Sequence, residues 1–152
     1  MIKNIAGIIE RVKISPDISL ITLYNTDLSN RGKVFKKLAE NNINLDIISQ
    51  SPYFGGEITL SFSMPDADLP KTLEIIADFK QEIKISSNNL TISFFGAEII
   101  NTPGIAASIF EEFSHNGINI VLIATSDVSV SCLIAKSDEV KTIKMLQEYN
   151  FI

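Results

Sequence analysis

The sequence predicts an α+β fold made of two copies of one β-α-β-β-α-β unit, the split βαβ arrangement, with antiparallel sheets and both helices on one face. The first observation behind this is an internal repeat. Shifted by 75 positions, GKVFKKLAENNINLDIISQS lies over ASIFEEFSHNGINIVLIATS, aligning Phe35 with Phe110, Asn41 with Asn116, Ile43-Asn44 with Ile118-Asn119, Ile48 with Ile123 and Ser51 with Ser126. Beyond Ser51 the shift falls to 70, because Pro52-Tyr53-Phe54-Gly55-Gly56 is extra; Ser61 then meets Ser131, Asp68 meets Asp138 and Lys71-Thr72 meets Lys141-Thr142. The second observation is that strand-like and helix-like runs follow one another in the same order in both copies. The third is a strand count. The second copy stops after its last helix, while Ile5 to Ser15 is left over at the start of the chain. That strand is expected to cross back and complete the second sheet, which leaves no bare edge there. The first unit, 17–87, is then inserted into the second, 1–16 and 88–152. The alternative is that Ile5 to Ser15 is a frayed arm.

In chain order, Ile5 to Ser15 reads as a strand through the alternation of Ile8, Val12 and Ile14, and Pro16-Asp17 as a break. Ile18 to Tyr24 is a second strand. Asn25 to Asn30 is a loop of capping residues feeding a helix with Val34, Phe35 and Leu38 on one side, stopped by Asn41-Asn42. Ile43 to Gln50 and Glu57 to Met64 are strands around a Gly-containing turn, and Pro65-Asp66 opens a helix with Leu69, Leu73 and Ile76 inward. Glu82 to Ser86 is a short strand, Asn88-Asn89 a turn and Leu90 to Phe95 a strand. In the second copy Thr102 is the expected N-cap, with Pro103 at the first helical position. Ile105, Ile109, Phe110 and Phe113 form an apolar stripe, and His115-Asn116-Gly117 is the stop. Two strands, Ile118 to Thr125 and Val128 to Ala135, meet around Ser126-Asp127. A helix from Asp138 to Tyr149, with Val140, Ile143 and Leu146 inward, closes the chain.

Composition narrows the function classes. The chain has 152 residues, 45% hydrophobic and 20% charged, which is ample for a packed core and unlike a disordered chain. A net charge of −5 argues against nucleic-acid or anionic-membrane partners. No apolar run is long enough to cross a bilayer, and MIKNIAGIIERVK lacks a signal-peptide pattern, so a cytoplasmic location is expected. Cys132 and His115 are the single cysteine and histidine, which excludes an intrachain disulfide and limits any metal site to carboxylates; no metal and no cofactor are expected. Cys132 reads as core and His115 as a surface residue at a helix end. Both strand faces around Asn44 to Ile48 and Asn119 to Ile123 are apolar, which points to cover by the sister unit or by another chain, and so to a dimer.

PGIAASIFEEFSHNGINIVLIATSDVSVSCLIA, with its PG-opened helix, mid-helix Phe, GIN before a strand and serine-rich hairpin, resembles the second ACT domain of aspartate kinases. FKKLAENNINLDIISQSP and FSMPDADLPKTLEII resemble the partner ACT domain, so the likeness covers essentially the whole chain. It implies two ferredoxin-like βαββαβ units in which the strand before the first ACT domain completes the second. It also implies the regulatory part of an aspartate kinase, an ATP-dependent phosphotransferase. The chain itself carries neither a Gly-rich phosphate loop followed by lysine nor a candidate set for phosphoryl transfer, so it is not expected to be an enzyme by itself. Whether it is a free-standing subunit, an internally started product or a fragment stays open.

The resemblance further implies a feedback amino acid, lysine or threonine, bound where ACT domains meet, with a homodimer and an aspartate kinase catalytic domain or chain as partners. A helix N-terminus would offer N–H groups to the carboxylate of the zwitterion, and carbonyls or a carboxylate would take its ammonium. Carried over by motif, the effector-binding candidates are Thr26, Asp27, Leu28, Ser29 and Asn30 in the loop, Asp46 and Gln50 on the next strand, and Asn119, Ile120 and Ser126 from the second unit. Thr102 and Gly104 open a pseudo-equivalent pocket. Asp27, Ser29 and Asn30 read equally well as plain helix caps, and Asp46 as a solvated strand residue. The first unit has Leu28-Ser29 where the second has Pro103-Gly104, a departure that bears on the effector chosen. A degenerate ACT pair that only dimerises or docks on a kinase is the other reading. An independent enzyme is disfavoured by the lack of a nucleophile–base pair.

Overall fold

The computed structural model describes residues 5–152. Its chain divides into two compact units, one running Asp17–Asn88 and the other made of the chain up to Pro16 together with Asn89–Ile152. The strands are β1 (Arg11–Asp27), β2 (Ile48–Gln50), β3 (Glu57–Pro65), β4 (Glu82–Phe95), β5 (Ile120–Ser126) and β6 (Ser129–Ala135). The helices are α1 (Leu28–Glu40), α2 (Leu69–Ala77), α3 (Ile105–His115) and α4 (Glu139–Glu148). The start of β1 and the end of β4 belong to the split unit, and the remainder of both strands to the inserted one.

In the inserted unit the strand order is β2-β3-β1-β4, with β3 antiparallel to both β2 and β1. Its core joins Ile21 and Leu23 of β1 and Leu60, Phe62 and Met64 of β3 to Val34 and Leu38 of α1 and Ile75 and Ile76 of α2. Phe35 meets the Phe62 ring edge-on with centroids 5.8 Å apart. One sheet face is therefore covered by both helices, as the period-2 and period-3.6 patterns require.

In the split unit the order is β1-β4-β6-β5, with β6 antiparallel to β4 and β5. Leu90, Ile92, Phe94, Val130, Cys132 and Ile134 pack under Ile105, Ile109 and Phe113 of α3 and Met145 and Leu146 of α4. Ile5 and Ile9, ahead of β1, are buried in this same core. The Glu10 amide donates to the Phe95 carbonyl at 2.8 Å, the Glu10 carboxylate accepts from the Ala97 amide at 3.1 Å, and the Arg11 guanidinium lies 4.2 Å from the Phe95 ring centroid. The leftover N-terminal strand thus completes the second repeat's sheet.

Several expected boundaries shift. Residues 5–8 form a turn and the strand begins at Arg11. Pro16-Asp17 and Asn88-Asn89 do not break the chain: β1 and β4 run through them, with Asp17 at φ 58° and Asn88 at φ 56° absorbing the irregularity. Asp and Asn tolerate this left-handed geometry as single residues. The expected strand Ile43 to Gln50 is reduced to β2, although the Asp46 amide still bonds the Ser63 carbonyl and the Ser63 amide the Ile47 carbonyl. Val140 is 78% exposed instead of inward; Thr142, Met145 and Leu146 form the buried face of α4. Tyr53 and Phe54 stand exposed in the inserted turn.

Gly96 marks a close approach. A Cβ there would run into the Ile8 carbonyl, backbone against backbone, whereas a Cβ on Gly32 inside α1 would meet nothing. Gly96→Ala should therefore cost about 2 kcal/mol or more in urea unfolding, and Gly32→Ala should stabilise by about 0.5–1 kcal/mol through helix propensity. Cys132 is fully buried, and burial pushes its thiol up to about 12. The unfolded thiol ionises near 8.5, so this contribution to stability is intact below that pH and lost as pH rises from there towards 12. A thiol reagent at pH 8 should label Cys132 only on unfolding, and Cys132→Ala should flatten the alkaline decline of the melting temperature.

Candidate functional site

In the inserted unit the polar candidates gather where β1 turns into α1. Asn25 takes φ 51°, and the β1–β3 register shifts between Leu23 and Thr26. Thr26 is buried, and its hydroxyl donates to Gln81 Oε1 at 3.1 Å, so this side chain helps to fix the turn. Asp27 is the N-cap, with extended φ −67° and ψ 137°, and its Oδ1 accepts from the Ser29 amide at 2.9 Å. That satisfies one orphan donor of the helix and places a carboxylate at the positive end of its dipole. Leu28 opens the helix, Ser29 is exposed and Asn30 half-buried.

Gln50 stands exposed at the end of β2, and its Oε1 accepts from Arg31 Nη1. This bond ties the first turns of α1 to β2. Asp46 holds the segment before β2 through its backbone, and its side chain is exposed. Arg31 was not among the sequence candidates. The signal for it is the repeat itself, since a 75-residue shift puts Ala106 opposite this arginine.

In the split unit the helix start differs. The N-cap of α3 is Gly104, at φ 88°, with no side chain capping the helix; its carbonyl accepts from the Ser108 amide at 2.9 Å. Thr102 is not the cap and Pro103 not the first helical residue: Thr102 lies in the preceding turn, its amide donating to the Ile99 carbonyl at 3.4 Å. A Cβ on Gly104 would touch nothing, so the left-handed φ is what demands glycine there. The Asn119 amide donates to Asp138 Oδ2 at 3.3 Å, and Lys141 Nζ donates to Asp138 Oδ1 at 3.1 Å. Ile120 opens β5 opposite Ile134. Ser126 Oγ lies 2.8 Å from Ser129 Oγ and accepts from the Val128 amide at 3.3 Å, closing the β5–β6 hairpin.

Clefts lie elsewhere, and two of them are as follows. One of about 400 Å³ between α1 and the end of α2 is lined by Lys33, Lys36, Lys37, Glu40, Asp78 and Phe79. Lys37 lies 2.8 Å from Asp78 there and holds that carboxyl below the usual carboxylate range. A second of about 330 Å³ lies beside Glu10, Arg11 and Tyr149 in the split unit. Neither is lined by an effector candidate. Among the described residues no cluster of His, Cys, Asp or Glu suits a metal ion, and no helix is long and apolar enough to cross a membrane.

Asp27 has a structural duty that can be measured without any ligand. Asp27→Ala should cost about 1 kcal/mol of stability, and Asp27→Asn much less, since asparagine also caps; urea unfolding of the ligand-free chain reads this directly.

Residues 92–149 match the ACT domain family. Over 148 residues the chain is 30% identical to an aspartokinase of Bacillus sp. strain MGA3, a match covering 93% of this chain and 36% of that protein. The chain thus spans about a third of the length of such relatives. Among solved structures, the ligand-free regulatory subunit of aspartate kinase from Thermus thermophilus superposes with a TM-score of 0.84 at 23% identity, covering 93% of this chain and 98% of that one, and shares its fold. A structure of aspartokinase alpha and beta subunits gives a TM-score of 0.82 at 25% identity, covering 95% and 99%. Residues 92–149 thus resemble an ACT domain, and the chain as a whole is similar to about a third of an aspartokinase.

Proposed function

We propose that the chain senses a free amino acid of the lysine or threonine class and passes that signal to an aspartate kinase catalytic domain or chain, controlling phosphorylation of aspartate. The observation that carries this reading is the polar edge of the inserted unit, where Asp27 caps α1 ahead of Ser29 and Asn30, and Arg31 of the same helix bonds Gln50 of β2. Backbone donors, the Asp27 carboxylate and side-chain amides occur at this edge, groups of the kind a zwitterion requires. The likeness to aspartokinases supports the identity of the regulated enzyme. The signal itself would be a shift between two arrangements, for which a differential affinity worth about 1–3 kcal/mol is enough.

A second reading is favoured by one observation. Val121 and Ile123 of the edge strand β5 are exposed apolar residues, at 44% and 43%. A pair of ACT units that only dimerises, or docks on a kinase, would use such a face without any effector. Calorimetric and thermal-shift titration with lysine, threonine and methionine separates the two. Sensing predicts binding at millimolar concentration or below, and a stabilisation of about 2.7 kcal/mol at a hundredfold excess over Kd. Dimerisation that is indifferent to all three, and unchanged in Asp27→Ala and Gln50→Ala, selects the second reading.

A further inference from the structure

We infer that the cleft between α1 and the end of α2 binds a small phosphate-bearing ligand, whose phosphate oxygens are taken by the ammonium groups of Lys33 and Lys36. This goes beyond the amino-acid reading above and does not depend on it.

The cleft holds about 400 Å³, a volume in the range of small-molecule pockets. Lys33, Lys36 and Lys37 line it at spacings i, i+3 and i+4 along α1, which puts three cations on one helix face. Asp78 and Phe79, just past α2, form the facing wall. Of the three cations only Lys37 is neutralised at close range. Its Nζ lies 2.8 Å from Asp78 Oδ2 and 5.4 Å from the centroid of the Phe79 ring. Lys36 reaches Glu40 at 3.9 Å, and both ends of that pair are exposed, so the pair is weak. Among the described residues no carboxylate forms an ion pair with Lys33. Like charges at these spacings disfavour a helix, and an anion in the cleft would remove that cost.

The chemistry of the donors selects the anion. Lysine ammoniums are point charges with rotatable donors, suited to a phosphate, whereas a planar carboxylate is held best by the fork of an arginine. Glu40 and Asp78 stand at the C-terminal ends of their helices, where carbonyls add negative charge, so the anion belongs at the Lys33–Lys36 end. The scaffold does not demand this lining. The 75-residue shift puts Ser108, Glu111 and Glu112 opposite the three lysines, so the sister helix carries the opposite charge at two of the positions. The cluster also stands against the field of a chain whose net charge is −5.

The test is calorimetry on the whole chain at fixed ionic strength, with pyrophosphate as the phosphate probe and citrate as a carboxylate anion. The proteins are the wild type, a Lys33→Gln, Lys36→Gln double variant, and a Lys13→Gln, Lys144→Gln double variant that removes the same charge from exposed positions of the split unit. The wild type should bind pyrophosphate about tenfold more tightly than citrate, and the first variant should lose about tenfold in pyrophosphate affinity while the second keeps it. The ligand-free melting temperature of the first variant should hold or rise, because like charges have been removed, which separates lost binding from lost folding. A wild type that does not bind pyrophosphate overturns the inference. So do equal affinities for pyrophosphate and citrate, equal losses in the two variants, or binding of polyglutamate in place of pyrophosphate, which would make the cleft a surface for an acidic protein.

Discussion

The second repeat owns three strands and two helices, and everything else about its architecture follows from that shortage. A sheet of β4, β6 and β5 alone would leave the inner edge of β4 unpaired beside a core that contains Ile92 and Phe94. The chain meets the need with its own beginning. Ile5 and Ile9 enter that core, each burial worth about 1.5–3 kcal/mol of transfer free energy. The segment is then tied by contacts of three kinds: the amide of Glu10 on the Phe95 carbonyl, its carboxylate on the Ala97 amide, and the Arg11 guanidinium over the Phe95 ring. Gly96 is glycine because the Ile8 carbonyl occupies the space a side chain would need. None of these contacts is local in sequence, yet the requirement for them was visible as a missing strand.

Duplication also appears in the small print of the helices. Thr72 Oγ1 donates to the Asp68 carbonyl and Thr142 Oγ1 to the Asp138 carbonyl, each at 2.8 Å, and in both copies the hydroxyl is buried at the first turn. The buried set Thr72, Ile75 and Ile76 of α2 becomes Thr142, Met145 and Leu146 of α4 under the same shift of 70. That register corrects the misplaced Val140. Its counterpart is Pro70, an exposed residue, so the repeat already assigned the position to solvent when hydrophobicity alone assigned it to the core.

Where the sequence misled, competing local chemistry explains it. Asp17 and Asn88 belong to residue types that mark turns, and here each supplies one left-handed residue inside a strand that continues past it. Only long-range pairing decides between those outcomes, and it lies outside any local window. The helix start at Gly104 is similar. Thr102-Pro103 has the composition of a cap and first turn, but the positive φ of Gly104 carries the chain through one further residue before helical geometry begins. Most core positions, fixed by periodicity, were legible, Val140 excepted; of the caps, Asp27 was among the readings and Gly104, fixed by a single dihedral angle, was not. The candidate site suffers most from this, because most of its residues are caps or strand ends.

The two helix starts diverge because they are anchored differently. In α3 the first helical residue, Ile105, is 2% exposed and packs into the core, so the helix is pinned from its beginning. Its equivalent in α1 under the 75-residue shift is Asn30, polar and half-buried, and the core contacts of α1 begin with Val34. Asn30 is thus relieved of packing duty. A position without that duty can hold a polar side chain at little cost to the fold, since it keeps contact with water. The same substitutions at the start of α3 would put polar atoms under Phe113 and Ile109, where burial without partners costs about 1–3 kcal/mol apiece. Divergence between two copies of one scaffold is therefore permitted at the α1 end and resisted at the α3 end, and the α1 end is where Arg31 stands opposite the Ala106 of α3.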